Sequence, residues 1–179
     1  MRYSKNNEKF RKKMACFFLA GAVAFAGGNW EWRFPMILTG NMKSYAAEVE
    51  TDTAMKEIGI DIVRLVNEER ARFGLPELIW DSEIAEAARV RAEEQKSAFS
   101  HIRPGGEGFF TVFQQAEIKA TIVGENLARG KRGTASTIMN AWMSSEGHRR
   151  NILNERFSRI GIGYAENGTD IYWCQLFAD

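Results

Sequence analysis

Apolar positions along the chain change their spacing twice, and those changes divide it into elements. From about Thr53 to Phe73, Met55, Ile58, Ile62, Val66 and Phe73 recur at three-, four- and seven-residue steps, which sets them along one face of a helix. Arg64, Glu68, Arg70 and Arg72 fall on the opposite face. Gly74 suits the left-handed residue that closes a helix, and Pro76 cannot extend one. Leu78-Ile79-Trp80 then leads to Asp81-Ser82, side chains that cap a helix by accepting from its free N–H groups. A second helix is predicted from Ser82 to about Ala98. Its inner stripe is Ile84, Ala88, Ala92, Gln95 and Phe99, and its solvated face is Glu83, Glu86, Arg89, Glu93 and Lys96.

Pro104-Gly105-Gly106 marks a loop after Ser100-His101. A short helix is expected over 108–116 around Phe109, Phe110 and Phe113, then a short strand from Lys119 to Val123 running into Gly124-Glu125-Asn126-Leu127-Ala128. Thr134 is placed to cap a third helix to about Ser145, burying Ile138, Met139 and Trp142. Gly147 reads as the C-terminal cap of that helix, so that His148 leaves a rigid bend. After Leu153 the period falls to two, over Arg159 to Glu166 and Thr169 to Phe177. These runs flank Asn167-Gly168, a hairpin signal because both central residues of a type I′ turn need positive φ. Gly161 and Gly163 lie two apart and strip one strand face, letting a helix or the segment carrying His148 approach closely. Helices first and an antiparallel hairpin last give an α+β fold.

Charge changes the picture at one end only. The formal net charge is +1, but residues 1–26 carry six Lys and Arg against Glu8, leaving 18 basic and 22 acidic residues for the rest. That mildly acidic body lacks the basic face a nucleic-acid binder needs. Met1 to Met14 is basic, Ala15 to Gly28 is small and apolar, and Ala24-Phe25-Ala26 offers a cleavage site, the three-part form of a secretory signal peptide. The apolar run falls short of the roughly 20 residues that span a bilayer. Ser44-Tyr45-Ala46 offers a later cut. The expected organisation is therefore a signal peptide over 1–26, a spacer over 27–52 and one domain over 53–179. Cys16 lies in the signal, which leaves Cys174 alone in the mature chain, without a disulfide partner and most simply a small sheet or core residue.

The chain has two histidines, His101 and His148, each at a turn beside Gly or Pro, and Glu125 is flanked by Gly124. Three such residues on separate segments could converge. Two imidazoles and a carboxylate suit a His₂Glu zinc site with an open position; they equally suit a hydrogen-bonded buried triad, and spacing alone does not separate the two. His148 by itself could be a ligand, a proton carrier or a wedge against backbone.

Ser100-His101 with Pro104-Gly105-Gly106, then Gly124-Glu125-Asn126-Leu127-Ala128, then Trp142 through Gly147-His148-Arg149-Arg150-Asn151-Ile152-Leu153, then Ile160-Gly161-Ile162-Gly163 and Tyr172-Trp173-Cys174-Gln175 together resemble the CAP superfamily. This is the family of cysteine-rich secretory, antigen 5 and pathogenesis-related 1 proteins, or SCP domain, here in the form of its bacterial, disulfide-free branch. The resemblance spans roughly Ile58 to Asp179. It implies a three-layer α-β-α sandwich with a central antiparallel sheet, and a cleft lined by two His and two acidic residues. His101, Glu125 and His148 match three of those positions. The fourth falls on Ser145, with Glu146 about 100° further around a helix, so that role is not carried over.

Two functions follow as expectations. One is a secreted cleft-binding module at the cell envelope or outside the cell, taking a lipid, glycan or protein ligand, with contact to the membrane only through the signal segment. The other is a zinc-dependent, peptidase-like hydrolase in which His101 and His148 hold the metal and Glu125 activates water. A serine nucleophile (Ser100, Ser144 or Ser145) acting with His148 is the weakest option, because no G-x-S-x-G surrounds any of them.

Overall fold

A computed structural model describes residues 36–179, with side chains for Ser44, Ala47 and Glu50 and from Thr53 onward. The signal peptide expected over 1–26 lies outside the described residues. The unit Met42–Asp179 carries everything discussed below apart from the first residues of the first helix.

Helix α1 spans Met36–Arg72. The spacer expected over 27–52 is therefore already helical from Met36. Met55, Ile62 and Val66 of the predicted stripe are buried, but Phe73 lies beyond the helix and is exposed. Gly74 closes the turn at φ 69°, as the chain pattern demands. Arg70 departs from its predicted solvent face and is fully buried. Among the described residues no helix is long and apolar enough to cross a membrane.

Strand β1 is the two residues Ile79–Trp80. Asp81 then caps α2 (Ser82–Gln95) by accepting from the N–H groups of Glu83 and Ile84 at 2.9 and 3.2 Å. Ile84, Ala88, Ala92 and Gln95 face inward as predicted, whereas Phe99 falls past the helix end and is half exposed. Helix α3 is shorter than expected, Thr111–Gln115. Strand β2 runs Val123–Lys131, so it begins where the expected strand ended and includes Gly124 to Ala128 within it.

Helix α4 spans Ala135–Ser144 with Thr134 as its cap. The next segment corrects the sequence reading. Gly147 is not a C-terminal cap; it sits in the first turn of a separate helix, α5 (Glu146–Ile152), without positive φ. The break falls at Ser145, whose extended backbone (φ −98°, ψ 121°) ends α4 and starts α5. Strands β3 (Arg159–Asn167) and β4 (Asp170–Ala178) form the hairpin. Its turn is shifted by one residue: Asn167 pairs with Asp170, and positive φ occurs at Gly168 alone. Gly at the first of two central residues is the type II′ arrangement.

The sheet order is β1-β3-β4-β2, with β1 parallel to β3 and the other pairs antiparallel. Alternation along β4 sends Ile171, Trp173 and Phe177 into one core with α1, α4 and α5. Cys174, Leu176 and Ala178 enter the other core with α2 and α3. That is a three-layer α-β-α sandwich. Trp142 anchors the first core, fully buried, with its indole N–H donating to Leu127 O at 3.2 Å. The stripped strand face meets a helix: a Cβ on Gly161 would lie 2.2 Å from Ala85 N, and one on Gly163 would lie 2.1 Å from Arg89 N. Only glycine admits α2 that close to β3.

Candidate functional site

Strand β2 lies at one edge of the sheet, so its outer backbone groups are free to hold the segments that build the site. On one face, the Glu125 side chain points toward α2. On the other, Asn126 points toward α5 and donates to His148 O at 3.1 Å and Gln175 Oε1 at 2.9 Å. Asn151 of α5 completes the link, donating to Glu125 O at 3.1 Å and Asn126 Oδ1 at 2.8 Å. Two consecutive residues of an edge strand thus fix the sides of the site.

The Glu125 side chain is fully buried, and both of its oxygens are taken. Arg91 Nε donates to Oε2 at 2.8 Å and Arg91 Nη2 to Oε1 at 3.3 Å, from a side chain that is itself 0% exposed. His101 Nδ1 lies 2.8 Å from Oε1. A carboxylate gripped by a guanidinium is an acceptor, so the ring N–H sits on Nδ1 and the lone pair on Nε2. The Cys174 thiol adds a weak contact at 3.6 Å; burial and the nearby Glu125 raise its pKa well above that of an ordinary thiol, which makes it an inert core residue. Burial works against the Arg91 cation, but Glu125 and Glu94 outweigh it and hold its pKa above the usual value.

His101 itself is 56% exposed. Phe109 meets it edge-on with centroids 6.5 Å apart, and Phe110 follows at 6.3 Å from Phe109. Phe110 and Ile102 are exposed beside it. An orientable imidazole therefore emerges through an apolar rim. His148 is half-buried, with Nδ1 enclosed and unpartnered. Its pKa is lowered, first by burial and then by the charge of His101. His101 and Glu125 thus meet directly at the β2 edge, while His148 sits on the helix held from the other face by Asn126, near enough to His101 to feel its charge.

The arrangement bears on the roles expected of the three. A His₂Glu zinc site needs three donors aimed at one point, and among the described residues no three His, Cys, Asp or Glu side chains are so grouped. Both oxygens of Glu125 are engaged by Arg91 and His101. The same engagement occupies the carboxylate that a general base would need free. Glu146 points to solvent and pairs with Arg150 at 3.3 Å, away from the three. Arg91 was invisible in the sequence reading. Its signal was a charge seven residues after Ile84 and three after Ala88, on the stripe that should be apolar.

The comparisons fit this geometry. The CAP model, described as the cysteine-rich secretory protein family, matches residues 63–177. The Bacillus subtilis (strain 168) protein YkwD, itself uncharacterized, is 38% identical over 118 residues, covering 65% of this chain and 45% of that one. The uncharacterized membrane protein YlbC of the same strain is 30% identical over 104 residues, covering 57% and 30%. The chain therefore spans less than half the length of either curated relative. An extracellular SCP-domain protein from Bacillus anthracis superposes with a TM-score of 0.62 at 29% identity, covering 69% of this chain and 40% of the other. An outer surface protein from Borrelia burgdorferi gives 0.63 at 20% identity, covering 69% and 93%, and shows the fold alone. A profile match over most of the chain, falling on the strand and helix that carry Glu125 and His148, has one meaning: the chain belongs to the cysteine-rich secretory protein (CAP) family.

Proposed function

We propose that this domain is an exported cleft-binding module acting at the cell envelope or outside the cell, and that its recognition centre is His101 with the apolar rim of Ile102, Phe109 and Phe110. One observation carries the reading: a fully buried Arg91–Glu125 pair is spent on orienting a ring that is itself more than half exposed. A buried ion pair is weak evidence for stability, so its use here points to the ring it holds. The ligand this favours offers a hydrogen-bond donor to His101 Nε2 and an apolar portion to the phenylalanines, which a lipid, a glycan or a protein segment could each supply. The likeness to an extracellular SCP-domain protein supports export.

The test uses purified chain, isolated Bacillus cell walls and phosphatidylglycerol vesicles as separate probes. Wild type is expected to sediment with one of them, and His101→Ala and Phe110→Ala to lose at least about tenfold in affinity, or about 1.4 kcal/mol, at unchanged melting temperature. Binding that both variants retain would remove the proposal. Zinc-dependent cleavage of casein, abolished in His101→Ala and in His148→Ala, would replace it with the hydrolase reading.

A further inference from the structure

Arg91 does more than neutralise Glu125. Its Nη2 also donates to Ser100 O at 2.8 Å, and its Nη1 to Glu94. Ser100 immediately precedes His101, and Gln95 holds the same peptide from both ends: its amide donates to Ser100 O at 2.9 Å, and its Oε1 accepts from Ser100 N at 2.7 Å. Residues 91 and 95 are one helical turn apart and face the same side. One turn of α2 therefore anchors both the backbone leading into His101 and the acceptor for its ring. Glu94 extends the grip outward, pairing with Arg103 at 2.6 Å, and Arg103 reaches Thr111 and Gln115 of α3 at 3.0 and 2.7 Å. The loop carrying His101 is tied down at both ends by this alternation of charges.

We infer that Arg91 is a positioning residue of the site, which by holding the Glu125 carboxylate and the Ser100 carbonyl in one fork dictates that the exposed His101 ring turns Nε2, bearing a lone pair, away from Glu125. The inference rests on the reading of His101 as the ligand contact and deepens it. A fixed lone pair selects ligands that present a hydrogen-bond donor: a hydroxyl, an amide N–H or an ammonium group. Carboxylates and phosphates are disfavoured at that nitrogen. The fork is essential to this, because Nε and Nη2 grip Glu125 while Nη2 also reaches Ser100 O and Nη1 reaches Glu94. A lysine ammonium is a point charge on a flexible stem and cannot hold the same three directions.

The chain contains only two histidines, so in a His148→Gln background one imidazole remains, and long-range ¹H–¹⁵N correlation of the full chain above pH 7.5 reads its tautomer without any ligand. The expected spectrum is a single Nδ1–H form. Introducing Arg91→Lys is expected to lose that single form and give two, and Gln95→Ala to do so to a smaller extent. A role confined to stability would lower the melting temperature of Arg91→Lys and leave the tautomer alone. A folded Arg91→Lys protein that keeps one Nδ1–H signal overturns the inference. So does an Nε2–H or mixed spectrum in the Arg91 protein itself, which decides the matter even if no Arg91 variant folds. The readout is independent of binding: a pure Nδ1–H ring whose removal leaves envelope binding intact would sink the function proposed above and spare the positioning role.

Discussion

Two arginines, Arg70 and Arg91, are both fully buried, and they are satisfied in opposite ways. Among the described residues Arg70 meets no carboxylate. It donates to the carbonyls of Pro76, Ile152, Asn154 and Phe157 at 2.8 to 3.4 Å, and burial alone lowers its pKa. Arg91 meets two carboxylates and one carbonyl, and its pKa rises despite burial. Arg70 ties the end of α1 to the end of α5 and to the turn leading into β3. All of its acceptors are backbone, so its work ends with the fold. The principal acceptor of Arg91 is a side chain that holds an exposed histidine, so its work reaches the surface. In this molecule the identity of the acceptor, more than burial, separates a staple from a part of the site.

The largest expected effect breaks that comparison from the Arg91 side. Arg91→Met leaves the Glu125 carboxylate buried without its cation, which should remove about 3–5 kcal/mol of stability in a denaturant titration. Adding Glu125→Leu should restore most of it, because removing both charges removes the desolvation burden with them. Failure of the second change to rescue would mean that the cost of the first came from packing. Arg70→Met should cost about 2–4 kcal/mol by stranding several buried carbonyls. For Arg70 no single second substitution should rescue, since its acceptors are main chain. A side-chain partner whose removal recovered stability would erase the distinction.

How much of this was legible beforehand follows the same division. Apolar periods announced α1, α2 and α4 because one buried face per helix repeats along the sequence. Gly161 and Gly163 announced a close approach because nothing else tolerates one. His101, Glu125 and His148 stood out through a neighbouring glycine or proline taken to mark element ends, but only His101 lies in a loop: Glu125 is inside β2 and His148 inside α5. The buried arginines stayed hidden: a charge in a helix ordinarily snorkels to water, and most partners of Arg70 lie more than 80 residues away in the chain. Gly147 misled for a different reason. A glycine just after an apolar helix looks the same whether it caps that helix or enters the next one, and the deciding residue was Ser145, whose extended backbone has no sequence signature. The hairpin turn slipped by one because Asn-Gly and Gly-Thr both supply two central residues, and cross-strand pairing chose between them.

Helix α5 is the one element that both halves of the comparison touch. Arg70 holds the carbonyl of Ile152 at its end, while His148 and Asn151 bind β2 from its body. Gly147 sits in its first turn with open space where a Cβ would go and without positive φ. Gly147→Ala should therefore stabilise the domain by about 0.4–1 kcal/mol, through helix propensity and a less free unfolded chain. A loss of stability instead would revive the cap assignment. Because the substitution touches neither arginine, its gain should add to the Arg70→Met loss without interaction.

The smallest expected effect is one of pH, and it belongs to the site alone. His148 has its pKa lowered first by burial and then by the charge of His101, with Glu146, Arg149 and Arg150 the remaining charges on its own helix and Glu125 backed by Arg91 on the strand beneath. In the unfolded chain an ordinary histidine begins to bind protons near pH 6.5, while in the folded chain His148 stays neutral to a lower pH. Between those two values the unfolded state holds more protons, so stability rises with pH across that window. Equivalently, what the neutral ring contributes is fully present above about pH 6.5 and is lost as the pH falls toward its folded value. Denaturation midpoints of wild type should accordingly decline from pH 7.5 to 5.5, and His148→Gln should decline less steeply. Arg70→Lys should follow the wild-type slope from a lower starting point, because neither side chain titrates in that range and the hydrogen bonds of Arg70 all go to other residues. An equal slope in His148→Gln would place the acid sensitivity elsewhere, and a changed slope in Arg70→Lys would show the staple and the site to be coupled through α5.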